Sequence, residues 1–182
     1  MEKIALNKRI PWIVILLNLA GIFLWRNYNY HWLKIVRYAL LTAFLVPLGA
    51  IDWKKKIIPN KILLAMTGIR ALLLVGDLFV YPAYRAELAI SAFGGMAVGF
   101  LVFLLAYFLS RRSIGLGDVK MIAVIGFYLG ISQIWSTMVV GLLLAGIFSC
   151  IQLARKKVTM KESIPLAPFL SAGAILVMLL GM

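Results

Sequence analysis

The 182-residue chain holds one cysteine, one histidine and six acidic residues. Cys150 alone can make neither an internal disulfide nor a CxxC metal site. His31 alone supplies no histidine cluster, and no HExxH motif or Gly-Lys-Ser/Thr phosphate loop occurs. Neither a metal nor another cofactor is expected. Charged residues make up only 14% of the chain, against about a quarter in soluble domains. No polar stretch is long enough to form a soluble domain of ordinary size.

What the chain has is apolar length. It is 64% hydrophobic, with a mean hydropathy of +1.01. Apolar runs fall at 10–25, 35–51, 62–80, 88–109, 119–130, 135–153 and 164–181. They predict an all-α polytopic transmembrane helical bundle of about seven spans. Six to eight spans fit, because only Gly130 to Gln133 separates the fifth run from the sixth. Lys3, Lys8 and Arg9 before the first run resemble a signal peptide, but no small-x-small cleavage site follows. The run is expected to be a retained span, and the chain a single integral membrane domain over 1–182.

The formal net charge of +13 resides in short loops. That pattern points to membrane orientation and anionic lipid, not to nucleic acid. Lys3, Lys8 and Arg9 precede the first run, and Lys54, Lys55, Lys56 and Lys61 lie between the second and third. Arg111 and Arg112 lie between the fourth and fifth, and Arg155, Lys156, Lys157 and Lys161 between the last two. The alternate loops are poorer, with Arg26, Lys34 and Arg85. The positive-inside rule then puts the N-terminus in the cytoplasm of a multi-pass cell-membrane protein. Asp52 and Asp118 both fall at cytoplasmic ends of spans, so residues far apart in sequence share one depth.

A carboxylate at the edge of an apolar segment is costly and marks a functional candidate. Asp118 closes Gly115-Leu116-Gly117-Asp118, and helix is predicted from Val119 onward. Asp118 would then be an N-cap or a presented carboxylate. The glycines give the backbone freedom that other residues lack, and Lys120 is two residues on. Asp52 opens Asp52-Trp53-Lys54-Lys55-Lys56-Ile57-Ile58-Pro59-Asn60. On its own this is a loop aspartate among lysines, with Pro59 at a helix start. Two carboxylates brought together suggest acid–base chemistry. Gly95 and Gly99 form a GxxxG that lets a helix approach closely, either within the chain or in a homodimer.

Together the two segments resemble the signatures of the type IV prepilin peptidase family, membrane aspartyl proteases of the GxGD type. The resemblance rests on Asp52, Ile58-Pro59-Asn60, and Gly115-Leu116-Gly117-Asp118 followed by Val119-Lys120-Met121. Ile164-Pro165-Leu166-Ala167-Pro168-Phe169-Leu170 resembles a third segment, with alanine at position 167 where the family usually has glycine. The resemblance covers 40–182 and leaves 1–34 as an extra N-terminal span. It implies Asp52 and Asp118 as the catalytic pair. Gly115, Gly117, Lys120, Ile58, Pro59 and Asn60 support the motif or the substrate's approach. It implies prepilin-like substrates whose short basic leader is cut off at the cytoplasmic border. Anionic lipid would screen that leader from the basic face of the protein. Longer members carry two cysteine pairs and methyltransferase activity, which this chain is not expected to share.

Two other readings compete. A presenilin-like enzyme cutting within a transmembrane helix also uses GxGD, but Ile58-Pro59-Asn60 argues against it. A proton-coupled transporter would use intramembrane aspartates as a relay, but no inverted repeat is evident. Arg70 and Asp77 share a helix face about 10 Å apart along the axis. Arg70 there lines a hydrated cavity or snorkels with help from Asp77. His31 falls in an outside loop, away from any nucleophile. Trp25, Trp32 and Trp53 lie near span ends, as in an aromatic belt. The topology makes a direct prediction: reporters fused within 53–61 and within 154–163 should both report the cytoplasm, and opposite faces would refute it.

Overall fold

The computed structural model describes residues 9–110, 114–155 and 165–181. Lys3, Lys8, Arg111, Arg112, Lys156, Lys157, Lys161 and Ile164 lie outside the described residues. Every regular element among those described is helical. Helices α1 (Ile10–Asn27), α2 (Trp32–Lys55) and α3 (Asn60–Val80) come first. A 3₁₀ turn (Pro82–Tyr84) precedes α4 (Arg85–Leu109), followed by α5 (Leu116–Ala154) and α6 (Ala167–Leu180). Apolar chain in lipid must satisfy its own backbone hydrogen bonds, and the helix does this within one segment. Five of these helices are long and apolar enough to cross a membrane, while α6 has only 14 residues.

Helix α5 has 39 residues and would measure about 58 Å if straight, against a hydrocarbon core of about 30 Å. It is broken at Gly130, where φ is 82° and ψ is 179°. Side-chain contacts show that the chain reverses there. Near the break, Gln133 Oε1 accepts a 2.6 Å hydrogen bond from the Tyr38 hydroxyl, early in α2. Further on, Phe148 packs on Trp53, late in α2, with ring centroids 5.4 Å apart. The spacings 38 to 53 and 133 to 148 match, at ~22 Å each. The second arm thus runs parallel to α2, while the first, with Gly117 against Ile58 and the Phe127 carbonyl on Arg70, runs parallel to α3, so α5 is two antiparallel arms, 116–129 and 131–154. Counting both, the described residues form seven helical segments besides the 3₁₀ turn, with the division at the break that the apolar runs predict.

The first arm is the centre of the protein: Val119 and all of 121–130 are buried. Glycine makes that possible. A Cβ on Gly126 would overlap the Gly95 carbonyl, and one on Gly95 would overlap the Gly126 carbonyl. A Cβ on Gly99 would come within 2.8 Å of the Ile122 oxygen. The GxxxG of α4 is thus spent on internal packing. The second arm meets α6 the same way, with a Gly173 Cβ falling 2.7 Å from Gly141 nitrogen. Helix α6 then meets α2, where a Gly49 Cβ would lie 3.1 Å from Pro168 Cα.

Helix α1 is attached through one residue above all. Trp25 is 1% exposed, and its indole N–H donates to the Met178 carbonyl at 2.7 Å. It is an internal anchor rather than part of an aromatic belt, unlike the exposed Trp32 and Trp53. His31 caps α2, its Nδ1 accepting from the Leu33 N–H.

The glycine contacts predict a contrast. Gly126→Ala should destabilise the protein by ~1–3 kcal/mol through overpacking. Gly76→Ala, with nothing within 4 Å, should be neutral or stabilising by up to ~1 kcal/mol. Thermal unfolding of both variants in detergent checks this, and equal midpoints would refute the contact.

Candidate active site

Asp52 lies in the last turn of α2 and is 5% exposed. The helix stops just beyond it because Lys56 takes a left-handed conformation (φ 51°) and returns its N–H to the Asp52 carbonyl at 2.8 Å. That stop leaves only Ile57 and Ile58 before the Pro59 cap and Asn60, the first residue of α3. The Asp52 carboxylate is held from another direction. Its Oδ2 accepts a 3.2 Å hydrogen bond from the Ala167 N–H, at the first turn of α6. A helix N-terminus carries unpaired N–H groups and partial positive charge, so a carboxylate is stabilised there. This explains the third motif in part: Ala167 is fully buried and presents its backbone to Asp52.

Asp118 is the third residue of α5, not its cap. The helix begins at Leu116 with Gly115 as cap, three residues earlier than the motif alone predicts. From this position the carboxylate folds back against the backbone N–H of Gly115. The arrangement is one half of a capping box. The charge of Asp52 acts on Asp118, so tertiary folding brings the two aspartates into one site. Asp118 Oδ1 is buried and makes no hydrogen bond within the described residues. Each carboxylate thus rests on a helix N-terminus, which offsets part of the cost of taking it out of water.

The flanking motif residues also meet. A Cβ on Gly117 would lie 3.2 Å from Ile58 Cβ, so the glycine is the surface on which Ile58 packs. A Cβ on Gly115 would lie 3.2 Å from Asp118 Oδ2. Neither glycine uses a conformation closed to other residues: Gly115 has φ −74° and Gly117 is helical. What both supply is space, filled by the protein's own Ile58 and Asp118. Lys120 donates from Nζ to Asn60 Oδ1 at 3.4 Å, on the exposed side. An apolar groove of about 460 Å³ opens beside this pair, lined by Leu63, Leu64, Thr67, Phe100, Ala123 and Val124. Lys120 is two residues past Asp118, about 200° around the helix, so the groove and the carboxylate occupy opposite faces of the arm.

At the far end of the bundle lies a second polar cluster. Arg70 is 2% exposed and donates from Nη1 to Asp77 Oδ2 at 3.1 Å. Its Nε donates to the Phe127 carbonyl at 3.0 Å. Arg37 Nη1 reaches the same Asp77 oxygen at 3.5 Å. The length of the arginine side chain closes the axial gap to Asp77, and the guanidinium is buried against its partners. Sequence reasoning passes over Arg37, although a charge within an apolar run is a signal in itself.

The packing of Ile58 on Gly117 yields a test. Gly117→Val should cost ~1–3 kcal/mol by overpacking, and Ile58→Ala in the same chain should recover much of that loss. A double-mutant cycle in thermal unfolding reads the coupling, and additivity within ~0.5 kcal/mol would mean that the two motifs do not touch.

Comparison with known proteins places the chain in a family. Residues 39–151, which span both aspartates, match the type IV leader peptidase family. The chain is 27% identical over 129 residues to a Bacillus subtilis (strain 168) protein described as prepilin leader peptidase/N-methyltransferase. The match covers 66% of this chain and 52% of that protein, so the chain spans about half the length of its relative. No solved structure matches. On the match over 39–151, the chain belongs to the type IV leader peptidase family.

Proposed function

We propose that this protein is a membrane aspartyl endopeptidase that removes the short basic leader from type IV prepilin-like precursors. The observation that carries the proposal is the convergence of Asp52 and Asp118, 66 positions apart in the sequence, within electrostatic reach at one end of the bundle. Family membership and the relative's description supply the substrate class.

Two carboxylates held close do not both ionise readily, so the pair shares a proton near neutrality. The ionised member takes a proton from water as the water oxygen bonds to the scissile carbonyl carbon. The protonated member gives its proton to the carbonyl oxygen, which produces a neutral gem-diol. In the second step the aspartate now protonated gives its proton to the amide nitrogen while the other takes one from a gem-diol hydroxyl, the C–N bond breaks, and a carboxylic acid and an amine result. The helix N-termini at Ala167 and Gly115 hold the two carboxylates in place during these transfers.

The described basic residues support a cytoplasmic location for the pair. Arg9, Lys54, Lys55, Lys56, Lys61, Lys120 and Arg155 lie at the Asp52 end of the bundle, and Arg26, Lys34, Arg37 and Arg85 towards the other. The proposal takes the chain as a single peptidase domain with α1 as an added span, in a bilayer whose anionic lipid meets the basic end.

The test is cleavage of a purified prepilin in detergent or lipid, read by product mass. Asp52→Asn and Asp118→Asn should each reduce cleavage by at least ~100-fold while both variants remain in the membrane. Full cleavage by either variant would end the two-carboxylate reading.

A further inference from the structure

The cluster of buried Arg70 and Asp77 with the partly buried Arg37 has no place in the chemistry above, yet it ties together the two helices that carry the aspartates. Arg37 is on α2, 15 positions before Asp52. Phe127 is on the first arm of α5, nine positions after Asp118. Asp77 and Arg70, both on α3, bridge them: Arg37 to Asp77 at 3.5 Å, Asp77 to Arg70 at 3.1 Å, and Arg70 Nε to the Phe127 carbonyl at 3.0 Å.

The Phe127 carbonyl has a reason to need Arg70. The arm breaks at Gly130 (φ 82°, ψ 179°), and the last carbonyls of a helix lack regular partners. A cation at that end also complements the helix dipole. Only arginine can do this while holding Asp77, because its planar fork directs Nε and Nη1 at two different acceptors. The guanidinium carbon also lies 5.4 Å from the Phe127 ring centroid, which adds a cation–π contact on the same residue.

We propose that Arg70, held by Asp77, which Arg37 also binds, is a positioning residue that sets the Asp118-bearing arm against the Asp52-bearing helix. The proposal rests on the reading of Asp52 and Asp118 as the reacting pair. A short helix clamped at its carbonyl end transmits that placement along its axis to the Asp118 turn, ~14 Å away. Displacement of a reacting group by ~1 Å can cost ~100-fold in rate.

The experiment combines kinetics with cross-linking, in a Cys150→Ser background. The pair Ile58→Cys with Gly117→Cys reports the Asp118 turn, where a Cβ at position 117 would stand 3.2 Å from Ile58 Cβ. The pair Gly49→Cys with Pro168→Cys reports the α2–α6 contact, where the corresponding separation is 3.5 Å, and does not involve the arm. Disulfide formation is sensitive to such geometry. Without the cysteine pairs, Arg70→Met should lower kcat for prepilin cleavage by ~10–100-fold with KM changed less than about threefold. Arg70→Met should also slow cross-linking of the first pair and leave the second unchanged. Arg70→Lys, which keeps the charge and loses the fork, should fall between, and it carries the comparison if Arg70→Met does not reach the membrane. Unchanged cross-linking of the first pair would overturn the proposal. Equal loss at both pairs would overturn it too, since Arg70 would then merely hold the fold. Should Asp118→Asn still cleave while the first pair responds to Arg70, the catalytic reading fails and the placement of the arm stands.

Discussion

Backbone-to-backbone contact between α4 and the first arm of α5 is the constraint on which the rest depends. Gly95, Gly99 and Gly126 leave no side chain between the two helices, so the arm can sink until almost every residue from 119 to 130 is buried. Close packing of small residues is a main source of cohesion between helices in lipid, where hydrophobic burial contributes little. The arm then needs to reverse, and Gly130 permits a backbone conformation that places the second arm beside α6. Gly141 and Gly173 bring those two together, and Gly49 lets α6 approach α2 at Pro168. This series of contacts delivers the N-terminus of α6 to Asp52.

Among the described residues, the aspartates lie where the fold can stabilise them. Asp52 and Asp118 each rest on a helix N-terminus at one end of the bundle. Asp77 lies towards the other end, between two guanidinium groups. An isolated charge in the bilayer core is costly, and partners or helix ends reduce the cost. The two ends differ in what they leave available. Asp77 is bound on the same oxygen by both arginines, whereas Asp118 Oδ1 has no hydrogen-bond partner among the described residues. That asymmetry fits a reactive end and a structural end.

Several features were legible because they depend on local pattern. The apolar runs located the helices, and the break between 130 and 133 in an otherwise apolar stretch marked the reversal. The spacing of Asp52, Ile58-Pro59-Asn60 and Asp118 pointed to the family. Other features were not legible, for identifiable reasons. Helix α5 starts at Leu116 rather than Val119 because Gly115 serves as cap, and its own motif offers Asp118 as an equally good one. Gly117 looked like backbone freedom, while its use is room for Ile58, which sequence places 59 positions away. Trp25 looked like an interfacial residue because its partner, the Met178 carbonyl, is 153 positions on.

By itself the sequence determined the class of the protein and the approximate places of its helices, and it marked Asp52 and Asp118 as candidates, since each is written in composition, period or short motif. The tertiary structure decided what surrounds those carboxylates. That the Ala167 N–H holds Asp52, that Ile58 lies on Gly117, and that Arg70 ends the buried arm all depend on which helix faces approach one another. Those approaches are set by glycine contacts between distant segments, and a hydrogen bond across them has no signature in either segment alone.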